Sequence, residues 1–270
     1  MRTRIILTLA LVGLAGCGRG ADSTPATVAA FYPLAFAAER IAEPGAEIVN
    51  LTPAGAEPHD LELSTRDAER IARADVVLYL GDGFQPALEG ALETTGAEGV
   101  DLLDAVDTRD GDPHVWLDPS RYAQVALRIG DALDRPGDAE SLAAELRRLD
   151  TEFRQGLTGC ERNTLVTSHA AFGYLAERYG LEQVAVTGID PEAEATPGDL
   201  AETVRRVRET GATTVFFETL VSPRLAETVA REVGAKTAVL DPLESAPESG
   251  DYFTAMRANL AALREALGCR

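Results

Sequence analysis

The strongest constraint on the fold is an alternation of short apolar runs with amphipathic stretches, which continues along the chain from residue 27. The runs have the length and β-branched composition of buried strands, and the stretches between them have helical periodicity. Strands that alternate with helices form parallel sheets covered by helices, so the expected fold class is α/β. The strand-like runs are Thr27–Ala30, Ile48–Leu51, Val76–Leu80, Thr164–Thr167, Val184–Thr187, Thr213–Phe217 and Thr237–Leu240.

The alternation is interrupted once, in the middle of the chain. Ser120–Leu133 and Asp138–Leu157 both have helical periodicity with no strand-like run between them, and Arg135-Pro136-Gly137 separates the two. We therefore expect two βα lobes with parallel sheets, joined by a long rigid linker helix. The expected division is an N-terminal lobe over 27–135, a linker helix over 136–158 and a C-terminal lobe over 159–270.

The N-terminus is typical of an export signal. Arg2 and Arg4 precede an apolar run that is too short to span a membrane and ends in Leu14-Ala15-Gly16-Cys17. This tetrapeptide resembles the lipobox of bacterial lipoproteins, in which the cysteine becomes the lipidated first residue. We expect a signal peptide over 1–16, lipidation at Cys17 and a tether over 17–26. An ordinary cleaved signal with an incidental cysteine is the alternative.

Export also decides how the other cysteines are interpreted. Cys160 and Cys269 are the only two left after Cys17. An even pair in an oxidising compartment favours a disulfide over free thiols or a metal site.

The net charge limits the partners. A formal charge of -19 argues against binding to nucleic acid, because such binding depends on Lys and Arg against phosphate. It is compatible with attraction of cations.

The histidines occupy related positions. His59 lies in the loop after an apolar run, His114 lies in a loop before a helix, and His169 follows the run Thr164–Thr167. Asp241 and Glu218 follow two later runs. Ligands of open α/β sheets bind at the carboxyl ends of strands, so these side chains can converge in a cleft between the lobes. Imidazoles with one carboxylate suit a borderline metal, above all zinc, with Glu218 as the reserve carboxylate.

Each of these residues also has a simpler interpretation. A single histidine after a strand is more often a cap or a hydrogen-bonded loop residue than a ligand. Asp241 stands directly before a proline, and on its own it is most economically a turn residue.

Several segments together resemble the zinc and manganese substrate-binding lipoproteins of bacterial ABC importers. The most specific segment is Asp-Pro-His-Val-Trp-Leu-Asp-Pro, from Asp112 to Pro119. The other matching segments run in order along nearly the whole mature chain and are Phe31–Leu34, Glu57–Asp60, Ala74–Val77, Thr167–Leu175, Phe216–Glu218 and Leu240–Leu243.

The resemblance implies one Zn²⁺ per chain between the lobes, held by His59, His114, His169 and Asp241, with Mn²⁺ a weaker candidate. Trp116 would pack beneath His114. The implied function is the extracytoplasmic capture of zinc and its delivery to an ABC permease and its ATPase, by a lipid-anchored monomer. No enzymatic activity is expected.

Alternatives come from other functional classes. A manganese-binding transporter component would share the fold, and a surface adhesin could carry an incidental metal. A zinc hydrolase would need an open coordination position, which four protein ligands do not leave. One departure from many zinc relatives is that Asp101–Asp112 is acidic and lacks the histidines of their long loop, so we interpret it as a solvated loop.

Overall fold

The computed structural model describes residues 26–109, 111–193 and 195–270. The export signal, the lipobox with Cys17 and all but the last residue of the tether lie outside these residues. No helix of the described part has the length and apolarity that a bilayer crossing requires.

The described residues form two parallel four-stranded sheets, one before and one after the central helices. The first has the order β2-β1-β3-β4 and the second the order β6-β5-β7-β8. The strands are β1 Ala26–Ala29, β2 Glu47–Asn50, β3 Val76–Tyr79, β4 Gly99–Asp101, β5 Thr164–Thr167, β6 Glu182–Ala185, β7 Thr214–Phe217 and β8 Lys236–Val239. The predicted α/β class with two lobes is confirmed.

Helices cover both sheets and fill the space between them. They are α1 Tyr32–Ile41, α2 Thr65–Arg73, α3 Pro86–Thr95, α4 Pro119–Ala132, α5 Pro136–Gly156, α6 Gly173–Tyr179, α7 Pro197–Thr210, α8 Arg224–Val233 and α9 Tyr252–Leu267. Short 3-10 turns lie at Leu103–Ala105 and Val115–Leu117. Every strand pair in each sheet is parallel, so all strand carboxyl ends in a sheet lie along the same edge.

The linker prediction corresponds to α5, a helix of 21 residues and therefore about 31 Å long. One stripe of it is buried against α1, α4 and α9. Gly130 of α4 lies against Ala139 of α5 so closely that a Cβ at residue 130 would overlap the Ala139 methyl group. The linker is therefore a packed core element and not a free hinge.

The main hydrophobic core extends from the first lobe through α4 and α5 into the second. It includes Phe31, Leu149, Phe172 and Tyr252, all fully buried. A smaller core, centred on Val166, lies within the second sheet and its helices α7 and α8. Because one core continues across both lobes, the edges of the two sheets are fixed relative to each other.

The acidic segment after β3 and α3 differs from the expected solvated loop. Asp101 ends β4, and its Oδ1 accepts hydrogen bonds from the backbone N–H groups of Gly81 and Leu103, both at 3.0 Å. At the other end of the segment, Asp112 is buried. A strand of three residues with Val100 as its only large apolar side chain is too short to give a periodicity signal, which is why this strand was missed.

The predicted disulfide is confirmed, because Cys160 and Cys269 are joined. It connects the segment before β5 to the residues that follow α9. This lies at the amino-terminal edge of the second sheet, opposite the edge where β5 leads into His169.

Candidate metal centre

Three histidines and one glutamate meet between the lobes. They are His59, His114, His169 and Glu244, and one ligand atom from each lies within 4.8 Å of the others. The first two follow strands β2 and β4 of the first sheet, and the other two follow β5 and β8 of the second. The structure therefore brings together all three histidines that the sequence indicated, at the carboxyl edges of both sheets.

Four of the distances between the possible ligand atoms are similar. From Glu244 Oε1, the Nε2 atoms of His114, His59 and His169 lie at 3.2, 3.5 and 3.6 Å. The Nε2 atoms of His114 and His169 are 3.4 Å apart. A tetrahedron with metal–nitrogen bonds of about 2.0–2.1 Å has edges of about 3.3–3.4 Å. These four distances are close to the edges of a tetrahedral zinc site.

The fourth member of the group is Glu244, and Asp241 is not part of it. The Oδ1 atom of Asp241 accepts a hydrogen bond from the backbone N–H of Leu243 at 2.8 Å, as a turn residue does. Asn259 accepts from the Asp241 N–H and donates to its carbonyl, which fixes the start of the loop. The carboxylate that joins the three histidines is therefore that of Glu244, three residues after the expected Asp241.

Backbone geometry brings Glu244 into the group. Leu243 has φ 59°, in the left-handed region that residues other than glycine rarely adopt. Leu243 and Glu244 are both fully buried, and the Pro242 carbonyl accepts a hydrogen bond from Trp116 Nε1 at 2.7 Å. Backbone strain of this kind persists where the surrounding structure fixes it, and it is found at functional sites.

His114 is supported on several sides. Asp112 Oδ1 contacts the Nδ1 of His114 at 2.8 Å and accepts from its backbone N–H at 3.1 Å. The centroids of the Trp116 and His114 rings lie 5.1 Å apart, as the family resemblance implies. Asp118 caps α4 by accepting from the N–H of Ser120. With Nδ1 held by a carboxylate, the Nε2 of His114 faces Glu244.

His169 has the same arrangement with a different carboxylate. Glu218, the reserve ligand, does not enter the group, because its Oε1 contacts the Nδ1 of His169 at 2.6 Å. The same oxygen accepts a hydrogen bond from the Ser168 hydroxyl. Thr167 donates to the carbonyl of His169, which fixes its backbone. Carboxylates behind ligating histidines fix the tautomer and raise the basicity of the metal-facing nitrogen.

The charges in the group are mutually stabilised. Burial would raise the pKa of Glu244, but its close contacts with His114, His169 and His59 hold it well below its usual range. Burial lowers the pKa of His169, but its contacts with Glu218 and Glu244 outweigh this and raise it to about 10. The pKa of His114 is also raised, because its hydrogen bonds to Asp112 and Glu244 outweigh burial.

These contacts still leave two buried polar atoms of the group without hydrogen bonds. Among the described atoms, His59 Nε2 and Glu244 Oε2 are buried without a hydrogen-bond partner. Buried polar atoms without partners are costly, and a cation bound among the four side chains would satisfy His59 Nε2.

Access to the group is from the side of His59. Its side chain is 10% exposed, while those of the other three members are fully buried. A cavity of about 270 Å³ opens beside it and is lined in part by Asp60, Asp82 and Asp190. A cation can approach along this acidic opening.

Sequence comparison identifies a matching family. Residues 27–266 match the family described as "Zinc-uptake complex component A periplasmic". The "Zinc-binding protein AdcA" of Streptococcus pyogenes serotype M1 is 31% identical over 289 aligned positions, which cover 90% of this chain and 56% of that protein. The chain thus spans little more than half the length of this curated relative.

Solved structures share the whole fold. The laminin-binding protein Lmb of Streptococcus agalactiae, described as bifunctional with adhesin and metal transporting activity, superposes with a TM-score of 0.84 at 28% identity. The Zn(II)-bound ZnuA-like domain of Streptococcus pneumoniae AdcA superposes with a TM-score of 0.77 at 33% identity. Each comparison covers 90% of this chain and 99% of the other.

Proposed function

The chain belongs to the periplasmic zinc-uptake complex component A family, and on that premise we propose that it captures Zn²⁺ outside the cytoplasm for an ABC importer. The observation that carries the proposal is the group of three imidazoles and one carboxylate oxygen, in which the distances of 3.2 Å from Glu244 Oε1 to His114 Nε2 and 3.4 Å between the Nε2 atoms of His114 and His169 are close to the edges of a tetrahedral zinc site. In this proposal His59, His114, His169 and Glu244 are the ligands, and Asp241 is not.

The donor set favours zinc over manganese. Manganese prefers oxygen donors, and the intrinsic order of affinity at a common site also places zinc above it. Three nitrogens and one oxygen in a nearly closed shell therefore select the tetrahedral cation.

A capture role fits this site better than a catalytic one. Catalytic zinc sites keep an open position for water, with three protein ligands. Four protein ligands fill a tetrahedral shell, so the ion is held as cargo and must be released by weakening one of them. His59, the most exposed of the four, is the ligand we propose to leave first.

The remaining partners follow from this function. We propose a permease and an ATPase as the membrane components, with the chain anchored through a lipidated Cys17. A relative from Streptococcus pneumoniae serotype 4 is named "Zinc-binding lipoprotein AdcA", which supports the anchor. We also propose that residues 27–135 and 159–270 form the two lobes and that residues 136–158 link them. We further propose that the protein is a monomer, which light scattering would test.

The test is a metal titration of the purified, metal-free protein. Competition with a chromophoric chelator should give one Zn²⁺ per chain, and Mn²⁺ should bind far more weakly. His169→Ala should reduce zinc affinity, while His169→Glu should narrow the gap between the two metals by adding an oxygen donor. Binding of manganese as tightly as zinc by the wild type would refute the assignment.

The anchor has its own test. Cys17→Ser should move the protein from the membrane fraction to the soluble fraction of the native host, with zinc affinity unchanged. Intact mass analysis of the native protein without any acyl mass would exclude lipidation.

A further inference from the structure

The three histidines of the candidate centre are not supported equally. A carboxylate contacts the Nδ1 atoms of His114 and His169. Among the described contacts, no carboxylate reaches either ring nitrogen of His59 except that of Glu244, which belongs to the ligand group itself. Since metal-ligating histidines need an orienting partner, something else must fix His59.

Gln85 is the side chain placed to do this. It lies at the start of α3, is 1% exposed, and donates from Nε2 to the carbonyl of Pro58 at 3.0 Å. The Pro58 carbonyl belongs to the peptide bond that leads into His59. A second contact of the same nitrogen reaches Thr52 Oγ1, at the start of this loop, at 3.5 Å.

The chemistry of the contact fixes the orientation of the amide. Proline has no N–H, so Pro58 offers only an acceptor, and only the NH₂ end of Gln85 can face it. The opposite atom, Gln85 Oε1, is then buried with no hydrogen-bond partner among the described residues. An amide that leaves its own oxygen unsatisfied is costly, so the Pro58 contact is not explained by stability alone.

The residue before Gln85 contacts the imidazole itself. The Phe84 ring meets the His59 ring edge to face, with centroids 4.7 Å apart. Phe84 also packs on Phe31 and Trp116. One short segment, Phe84–Gln85, thus contacts both the ring of His59 and the Pro58 carbonyl that precedes it.

We propose that Gln85 is a positioning residue for His59, which it holds through the Pro58 carbonyl so that Nε2 stays at the corner of a tetrahedral site. The proposal rests on the proposed function, because it concerns the same metal centre. It deepens that function by assigning to Gln85 the orienting role that Asp112 and Glu218 have for the other two histidines. Without this restraint, His59 and its loop would relax toward solvent.

The experiment compares Gln85→Met, which keeps the length of the side chain but removes the donor, with wild type and a matched control. Leu149→Ala is the control, because Leu149 is fully buried in α5 and its truncation lowers stability without touching the centre. Gln85→Asn is a second variant that stays polar but is one methylene too short to reach Pro58. Zinc affinity is measured by competition, and the Co²⁺-loaded forms are compared by visible absorption, which is strong for tetrahedral Co²⁺ and weak for six-coordinate Co²⁺.

Both Gln85 variants should lose about tenfold in zinc affinity, at the lower end of the roughly 10–100-fold cost of losing an orienting partner. Their Co²⁺ absorption should weaken, while Leu149→Ala should keep the wild-type affinity and spectrum. The positioning role is overturned if wild type binds zinc and the Gln85 variants match it within twofold with an unchanged Co²⁺ spectrum. Failure of the wild type to bind zinc would instead refute the proposed function, so the two failures are distinguishable.

Discussion

The Oε1 atom of Glu244 lies 3.2 Å from the Nε2 atom of His114, although the two residues belong to different lobes. The contact places a carboxylate from the loop after β8 among imidazoles supplied by both sheets. It also distinguishes Glu244 from Asp241, whose carboxylate is used to turn the backbone at Leu243.

Substitution of Glu244 should therefore lower the affinity for zinc, whereas substitution of Asp241 should leave that affinity nearly unchanged. Glu244→Gln keeps the shape but removes the charge, so the loss of affinity should exceed the roughly 10–100-fold cost of losing an orienting partner. Asp241→Asn keeps an oxygen that can accept from Leu243 and should change affinity little. Competition titrations of both variants test this, and an equal loss in the two would show that Asp241 is also a ligand.

Glu218 should influence zinc affinity only indirectly, through its contact with the Nδ1 atom of His169. In Glu218→Gln an amide oxygen can still accept from Nδ1, so the loss should be smaller than in Glu218→Ala, which removes the partner altogether. The Ala variant should lose roughly 10–100-fold in affinity. Direct ligation by Glu218 would give losses in both variants as large as that of Glu244→Gln.

Most of this site could be predicted from the sequence, although the spacing of the three histidines along the chain matches no metal-binding motif. The three histidines could be placed because each lies in a loop next to a strand end or a helix start, and parallel strands bring such positions to one edge. The Asp-Pro-Ser order from Asp118 to Ser120 is typical of a helix start, and Asp118 caps α4 in the structure.

Glu244 could not be found in the same way. It follows Asp241 by three residues in one loop, and which of the two joins the three histidines depends on the left-handed φ of Leu243. No sequence pattern requires a leucine to adopt that conformation, because the packing around it imposes the strain. The turn interpretation of Asp-Pro was the available signal, and it matches the structure. The role of Gln85 likewise depends on a contact between loops 27 residues apart.

Zinc affinity should rise with pH well above the range in which free histidine titrates. An isolated imidazole with a pKa near 6.5 would compete with zinc only in acid. The pKa of His169 is raised to about 10, so in the metal-free protein it carries a proton at pH 7 that zinc must displace. We expect affinity to rise about tenfold per pH unit between pH 7 and 8.5 for one displaced proton. Calorimetry in buffers of different ionisation enthalpy counts the proton directly, and pH-independent affinity over this interval would contradict the prediction.

Asp150 should make the fold sensitive to acid. It accepts hydrogen bonds from Arg154 of its own helix and from Arg178 and Tyr179 of α6, and the last two join α5 to α6. Burial acts to raise its pKa, but the hydrogen bonds from Arg178 and Arg154 and the charge of Arg178 lower it below the usual value. Because the folded pKa is depressed, its stabilisation is present above about pH 3.9, the unfolded value, and is lost as pH falls through the folded pKa.

The matched variant for this effect is Asp150→Asn, which cannot ionise. Urea unfolding at pH 7 should show the variant less stable than wild type, and the difference should shrink toward pH 3. A difference that is constant with pH would mean that packing, and not the charge of Asp150, is responsible.

Removal of the disulfide should destabilise the fold and leave the metal centre intact. Cys160 and Cys269 are separated by 109 residues, and for a loop of this length chain entropy gives an upper figure of about 4 to 5 kcal/mol. The double variant Cys160→Ser/Cys269→Ser should lose stability toward that limit in urea unfolding of the metal-free protein. The bridge lies at the amino-terminal edge of the second sheet, whereas His169 and Glu244 follow the carboxyl ends of their strands. Zinc affinity at 25 °C, where the variant stays folded, should therefore equal that of wild type, and a large loss would show that the bridge also fixes the geometry of the centre.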